Sequence, residues 1–93
     1  MPNGVSVERA AVQGGMGCCQ TAIHELQTAS SGLQKSYRQA GANGWKDKQY
    51  AALGGIVEEC CSALEKPVNE LQECMSRLKK LLKAIGEYDE VNM

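Results

Sequence analysis

The strongest constraint in this chain is a pair of sustained heptads separated by a short turn-forming stretch. In the first, Val5, Arg9, Val12, Met16, Cys19, Ile23, Leu26, Ser30, Leu33, Tyr37 and Ala40 alternate spacings of four and three. In the second, Tyr50, Leu53, Val57, Cys60, Leu64, Pro67, Leu71, Cys74, Leu78, Leu81, Ile85 and Tyr88 do the same without a skip. A half-buried strand repeats every two residues. A repeat of 3.5 puts one apolar row along one side of a helix. Both segments therefore predict long helices, with Ile23, Leu26, Leu33, Tyr37, Leu53, Val57, Leu64, Leu71, Leu78, Leu81 and Ile85 in the hairpin and dimer seam.

Gly41-Ala42-Asn43-Gly44-Trp45-Lys46-Asp47 lies between them. Gly41 suits a left-handed helix stop, and Asn43-Gly44 is turn chemistry. Asp47 suits an N-cap, where its carboxylate also meets the positive end of the helix dipole. Trp45 then sits over the junction of the helices. A connection this short makes the helices antiparallel neighbours. The expected architecture is all-α, with one domain over residues 1–93. Helix 1 is expected over about 6–40, the turn over 41–46 and helix 2 over about 47–88, with a kink where Pro67 removes a hydrogen bond near Ala63.

Three features complicate that picture. Gly14, Gly15 and Gly17 cluster in the first helix, so either the ordered helix begins near Met16 or another backbone approaches closely there. Antiparallel pairing sets this cluster opposite Cys74 and Met75, and Gly54 and Gly55 near Ser36 and Leu33. A further apolar row, Cys61, Val68, Met75 and Leu82, runs beside the second seam. That face is wider than one partner helix needs, and the excess points to another chain and a four-helix bundle dimer.

Composition excludes several functions. Lys plus Arg is 10 against 11 acids, a net charge of −1, which argues against a nucleic-acid module. No apolar run is long enough for a membrane span, and residues 1–12 lack the pattern of a cleavable signal peptide. Arg77 to Ile85 is basic and amphipathic. Its leucines continue the seam, and its lysines read as a solvated face near the helix end, where cations suit the dipole. The five cysteines, Cys18, Cys19, Cys60, Cys61 and Cys74, form adjacent pairs and a single residue, with no Cys-x-x-Cys spacing. Reduced thiols acting as small hydrophobes are expected, with no metal and no cofactor. A Cys18–Cys74 or Cys19–Cys74 disulfide is conceivable on oxidation. His24 and Glu25 are adjacent on a helix and do not face each other, and Gly14-Gly15-x-Gly17 lacks the strand and Lys of a phosphate loop. No catalytic residue is expected.

Trp45 is the only Trp and stands at the midpoint of the chain. A small chain of two antiparallel helices with a central Trp in the turn resembles the WXG-type family of type VII secretion substrates. The family's turn reads Trp-x-Gly. Here Trp45-Lys46-Asp47 carries Asp in the Gly place, with Gly44 before the Trp, as in a divergent relative. The family's export signal is Tyr-x-x-x-acid, and Tyr88-Asp89-Glu90-Val91-Asn92 matches it except for Asn92. The resemblance implies a hairpin that pairs with itself, with a related hairpin chain or with the helical N-terminal domain of a larger secreted toxin. It also implies recognition by a secretion ATPase through the segment from Tyr88, and export without a cleavable signal peptide. The missing acid leaves two readings: a partner chain completes the signal, or the chain is itself a targeting partner. The heptads alone equally support a cytoplasmic hairpin adaptor or chaperone.

Overall fold

The computed structural model describes the backbone of residues 3–91 and the side chains of residues 7–87. It is all-α. Helix α1 spans Asn3–Ala42 and helix α2 spans Lys48–Val91, folded as a helical hairpin. The chain forms two compact units, an end unit of Met1–Ile23 with Glu70–Met93 and a turn unit of His24–Asn69. Helix α1 runs through Gly14, Gly15 and Gly17 without a break. A Cβ at Gly14 or Gly17 would meet nothing within 4 Å, and one at Gly15 would rest 3.5 Å from Leu78. The cluster is therefore neither the start of the helix nor a close approach of backbones, and of its three glycines Gly15 is the one whose Cβ would meet α2, at Leu78. Helix α2 likewise continues through Pro67.

On α1 the inward row from Arg9 onward is the one expected: Arg9, Val12, Met16, Cys19, Ile23, Leu26, Ser30, Leu33, Tyr37 and Ala40 are all half-buried or buried, and Val5 lies outside the residues whose side chains are described. On α2 the register differs. In the turn unit the inward residues are Tyr50, Leu53, Val57, Cys61, Leu64 and Val68, with Pro67 half-buried beside them. In the end unit they are Leu71, Met75, Leu78, Leu82 and Ile85. Cys60 and Cys74 are exposed, and Leu81 is 50% exposed. The row first read as surplus is the one that fills the seam, and Leu81 lies outside it. The reason is size. Val68 and Met75 fill the gap between helices with more apolar surface than Pro67 and Cys74 could, and burial scales with that area.

The seam is thin. Val12 and Val57, each 8% exposed, are the buried hydrophobic residues among those described, and no large side chain there is fully buried. Helix α2 also extends past its lysines, so no base in its last turn meets the negative end of the dipole. The Arg77–Glu73 pair at 3.0 Å is an exposed i,i+4 bridge worth about 0.3–0.5 kcal/mol.

The register gives a direct test. Leu82→Ala should destabilise the hairpin by about 2 kcal/mol or more, the usual cost of truncating a packed leucine. Leu81→Ala in the same helix should cost far less in urea unfolding of the isolated chain. Equal costs would place Leu81 in the seam after all.

Candidate functional site

The turn is built from two reciprocal caps. Gly44 is the positive-φ residue among those described, at φ 100°. Its N–H donates to the Gly41 carbonyl at 3.0 Å, and the Trp45 N–H donates to the Ala40 carbonyl at 3.1 Å. These two bonds are a Schellman motif, with Gly44 in the left-handed position that costs a β-carbon residue energy. The helix stop is therefore Gly44, while Gly41 stays helical. On the other side of the turn, Asp47 Oδ1 accepts from the Gln49 N–H at 3.0 Å and from the Tyr50 N–H at 3.1 Å. That is an N-cap, worth about 1 kcal/mol. Gly44 and Asp47 thus close the two helix ends that face each other across Trp45, which is 41% exposed.

Beneath the turn lies an arrangement the heptads did not reveal. Tyr37 and Gly41 are four apart on α1, and Tyr50 and Gly54 are four apart on α2. Residues at that spacing share a helix face, so each helix carries a ring and a notch side by side. Antiparallel pairing sets each ring over the other helix's notch. A Cβ at Gly54 would fall 2.8 Å from Tyr37 Cζ, and one at Gly41 would fall 2.9 Å from Tyr50 Cζ. The rings stack at 4.4 Å between centroids and 8° between planes, and the Tyr50 hydroxyl donates to the Tyr37 carbonyl at 3.0 Å. Trp45 leans on Tyr50 at 5.6 Å and 50°. Aromatic pairs of this kind contribute about 0.5–1.5 kcal/mol each beyond burial. The Tyr-x-x-x-Gly spacing repeated on both sides of a turn was the available signal.

Two shallow grooves share one side of the turn unit. One, of ≈ 310 Å³, includes Leu26, Gln27, Ser30, Cys61, Leu64 and Glu65 in its lining. The other, of ≈ 510 Å³, includes Gln34, Tyr37, Arg38, Val57, Glu58 and Ser62. Their rims are glutamines and an arginine on α1 and glutamates on α2. All five cysteines are free, and only Cys19 and Cys61 are half-buried. The Cys61 thiol donates to the Ser30 carbonyl at 3.6 Å. Among the described residues, no group of three or more His, Cys, Asp and Glu could hold a metal ion, and no helix is long and apolar enough to cross a membrane. His24 and Glu25 are exposed on α1. Tyr88, Asp89 and Glu90 lie outside the residues whose side chains are described. No protein-family model matches this chain, and no curated protein or solved structure matches it.

The ring-and-notch pairing predicts opposite outcomes at adjacent glycines. Gly55→Ala, in open space, should stabilise the helix by up to about 1 kcal/mol. Gly54→Ala should destabilise it by about 1–3 kcal/mol, because the new methyl displaces Tyr37. Thermal unfolding of the pair checks this, and a stabilising Gly54→Ala would refute the packing.

The Tyr50 phenol is held above its usual pKa of 10.0, first by loss of water around it and then by its hydrogen bonding with and closeness to Tyr37. A raised acid pKa means that the fold favours the neutral phenol. Its contribution is complete below pH 10.0 and is lost as pH rises through the folded-state value. Wild-type stability should therefore fall more steeply above pH 10.0 than that of Tyr50→Phe, measured by urea titration at several alkaline pH values.

Proposed function

We propose that this chain is a protein-interaction module of the WXG-like kind. In this reading it is a type VII secretion substrate or targeting partner that works by pairing its hairpin with another hairpin, and not by catalysis. The carrying observation is the combination of a hairpin whose seam buries only Val12 and Val57 among the described hydrophobic residues with a half-exposed Trp45 at its turn. A single seam leaves much apolar surface for a partner to cover. The double capping by Gly44 and Asp47 holds Trp45 in one place where a second protein can read it. The segment from Tyr88 is the proposed contact for the export ATPase. Five free thiols favour the alternative, a hairpin adaptor that stays in a reducing cytoplasm.

Export in a host with an active type VII system separates the two. The expected result is protein outside the cell, lost on deletion of the secretion ATPase and lost in Trp45→Ala, with that variant's helical circular dichroism retained. Export that persists without the ATPase would overturn the proposal. Protein confined to the cytosol while the system exports other substrates would select the adaptor.

A further inference from the structure

Asn43-Gly44 forms the turn of the hairpin, and it is also the dipeptide in which asparagine most readily loses its side-chain amide. That reaction needs an accessible carboxamide and a following backbone nitrogen that can reach it without steric obstruction. Asn43 is exposed, and Gly44 brings no β-carbon to crowd the approach. The remaining requirement is a free nitrogen, and here the fold intervenes. The Gly44 N–H is committed to the Gly41 carbonyl at 3.0 Å, in the cap that also binds the Trp45 N–H to the Ala40 carbonyl at 3.1 Å. Gly44 itself is held at φ 100°. While the cap is closed, the nitrogen that would attack the carboxamide is occupied. Asn69 is the contrast: it is also exposed, but it lies inside α2 and is followed by Glu70, whose side chain crowds the same approach.

We propose that Asn43 is a self-modification site latched by the Schellman cap, and that its product releases Trp45 from its place. When the cap opens, the Gly44 nitrogen gives its proton to solvent and attacks Asn43 Cγ. The N–Cγ bond forms, the Cγ–Nδ2 bond breaks, and ammonia leaves after taking a proton from solvent. Water then opens the succinimide ring. Attack at Cγ leaves an ordinary aspartate, and attack at the backbone carbonyl leaves an isoaspartyl link, in which the chain runs through Cβ. The reaction consumes one water and releases one ammonia, with no change of oxidation state. Either product places a carboxylate at the C-terminal end of α1, where it meets the negative end of the helix dipole. The isoaspartyl link also adds a carbon to the main chain, about 1.5 Å of path. Gly44 and Trp45 then cannot keep both cap bonds in register, and Trp45 loses its fixed position against Tyr50, now 5.6 Å between ring centroids. The seam is untouched by this change. The modification does not depend on the export reading; only its effect on a protein that reads Trp45 rests on that reading.

The full chain, incubated at physiological pH and temperature both native and in guanidinium chloride, tests this by peptide mapping. Mapping is needed because Asn3-Gly4 carries the same dipeptide. Enzymatic methylation of isoaspartate identifies the rearranged product. Asn43 should convert to a mixture of aspartate and isoaspartate in the native protein. Conversion should be about tenfold or more slower there than in guanidinium, because the cap bonds must open first. Asn69 should stay intact over the same period, and Asn43→Gln, which would have to close a larger ring, should stay unmodified at that position. The isoaspartyl form, separated by its added charge, should keep its helical circular dichroism while its Trp45 emission moves to longer wavelength. Asn43→Asp carries the charge on an unaltered backbone and should shift that emission less. Native conversion at Asn43 no greater than at Asn69, or equal native and denatured rates, would overturn the latched site. An isoaspartyl form with wild-type Trp45 emission would overturn the release. None of these readouts involves export, so a chain that is never exported leaves them unchanged.

Discussion

The row Val57, Leu64, Leu71, Leu78 and Ile85 on α2 belongs to two possible seams. Which neighbouring row joins it decides what the molecule shows to the outside. Cys61, Val68, Met75 and Leu82 join it, because together they present more apolar surface than Cys60, Pro67, Cys74 and Leu81. The losing row is still apolar. Cys60 in the turn unit and Cys74 and Leu81 in the end unit are therefore left exposed.

The same logic separates the cysteines. Adjacent thiols on a helix point about 100° apart, so a vicinal pair straddles the edge of a seam. Cys61 turns inward to the Ser30 carbonyl and Cys60 turns out. Cys19 turns inward and Cys18 out. Each pair marks the boundary between interior and surface, with no need of metal or disulfide chemistry to account for its place.

Much of this architecture was legible in the residues. The heptads predicted both helices, the inward row of α1 from Arg9 to Ala40 and the antiparallel return, and Asp47 stands as the cap its side chain suits. The α2 register was not legible, because counting spacings weighs Cys60 and Cys61 alike, whereas packing weighs volume. Gly41 was misread for a related reason. A glycine near a helix end suits a left-handed stop, yet Gly41 is small to admit the Tyr50 ring, and the stop is three residues on. Gly54 answers Tyr37 in the same way. A glycine can be chosen for what its neighbour needs as much as for its own backbone, and only the pairing of two helices reveals which.

The ring-and-notch arrangement also bears on how the chain reaches its fold. Tyr37 and Tyr50 are 13 residues apart, so their contact closes a short loop, and closure entropy grows with the logarithm of loop length. Contacts farther from the turn span steadily longer loops. The stacked tyrosines, anchored by caps that need only local sequence, therefore form at a low entropic cost. Assembly that begins there and proceeds outward keeps each successive closure small. During synthesis that start waits until Tyr50 and Gly54 have left the ribosome, by which point the whole of α1 has already emerged.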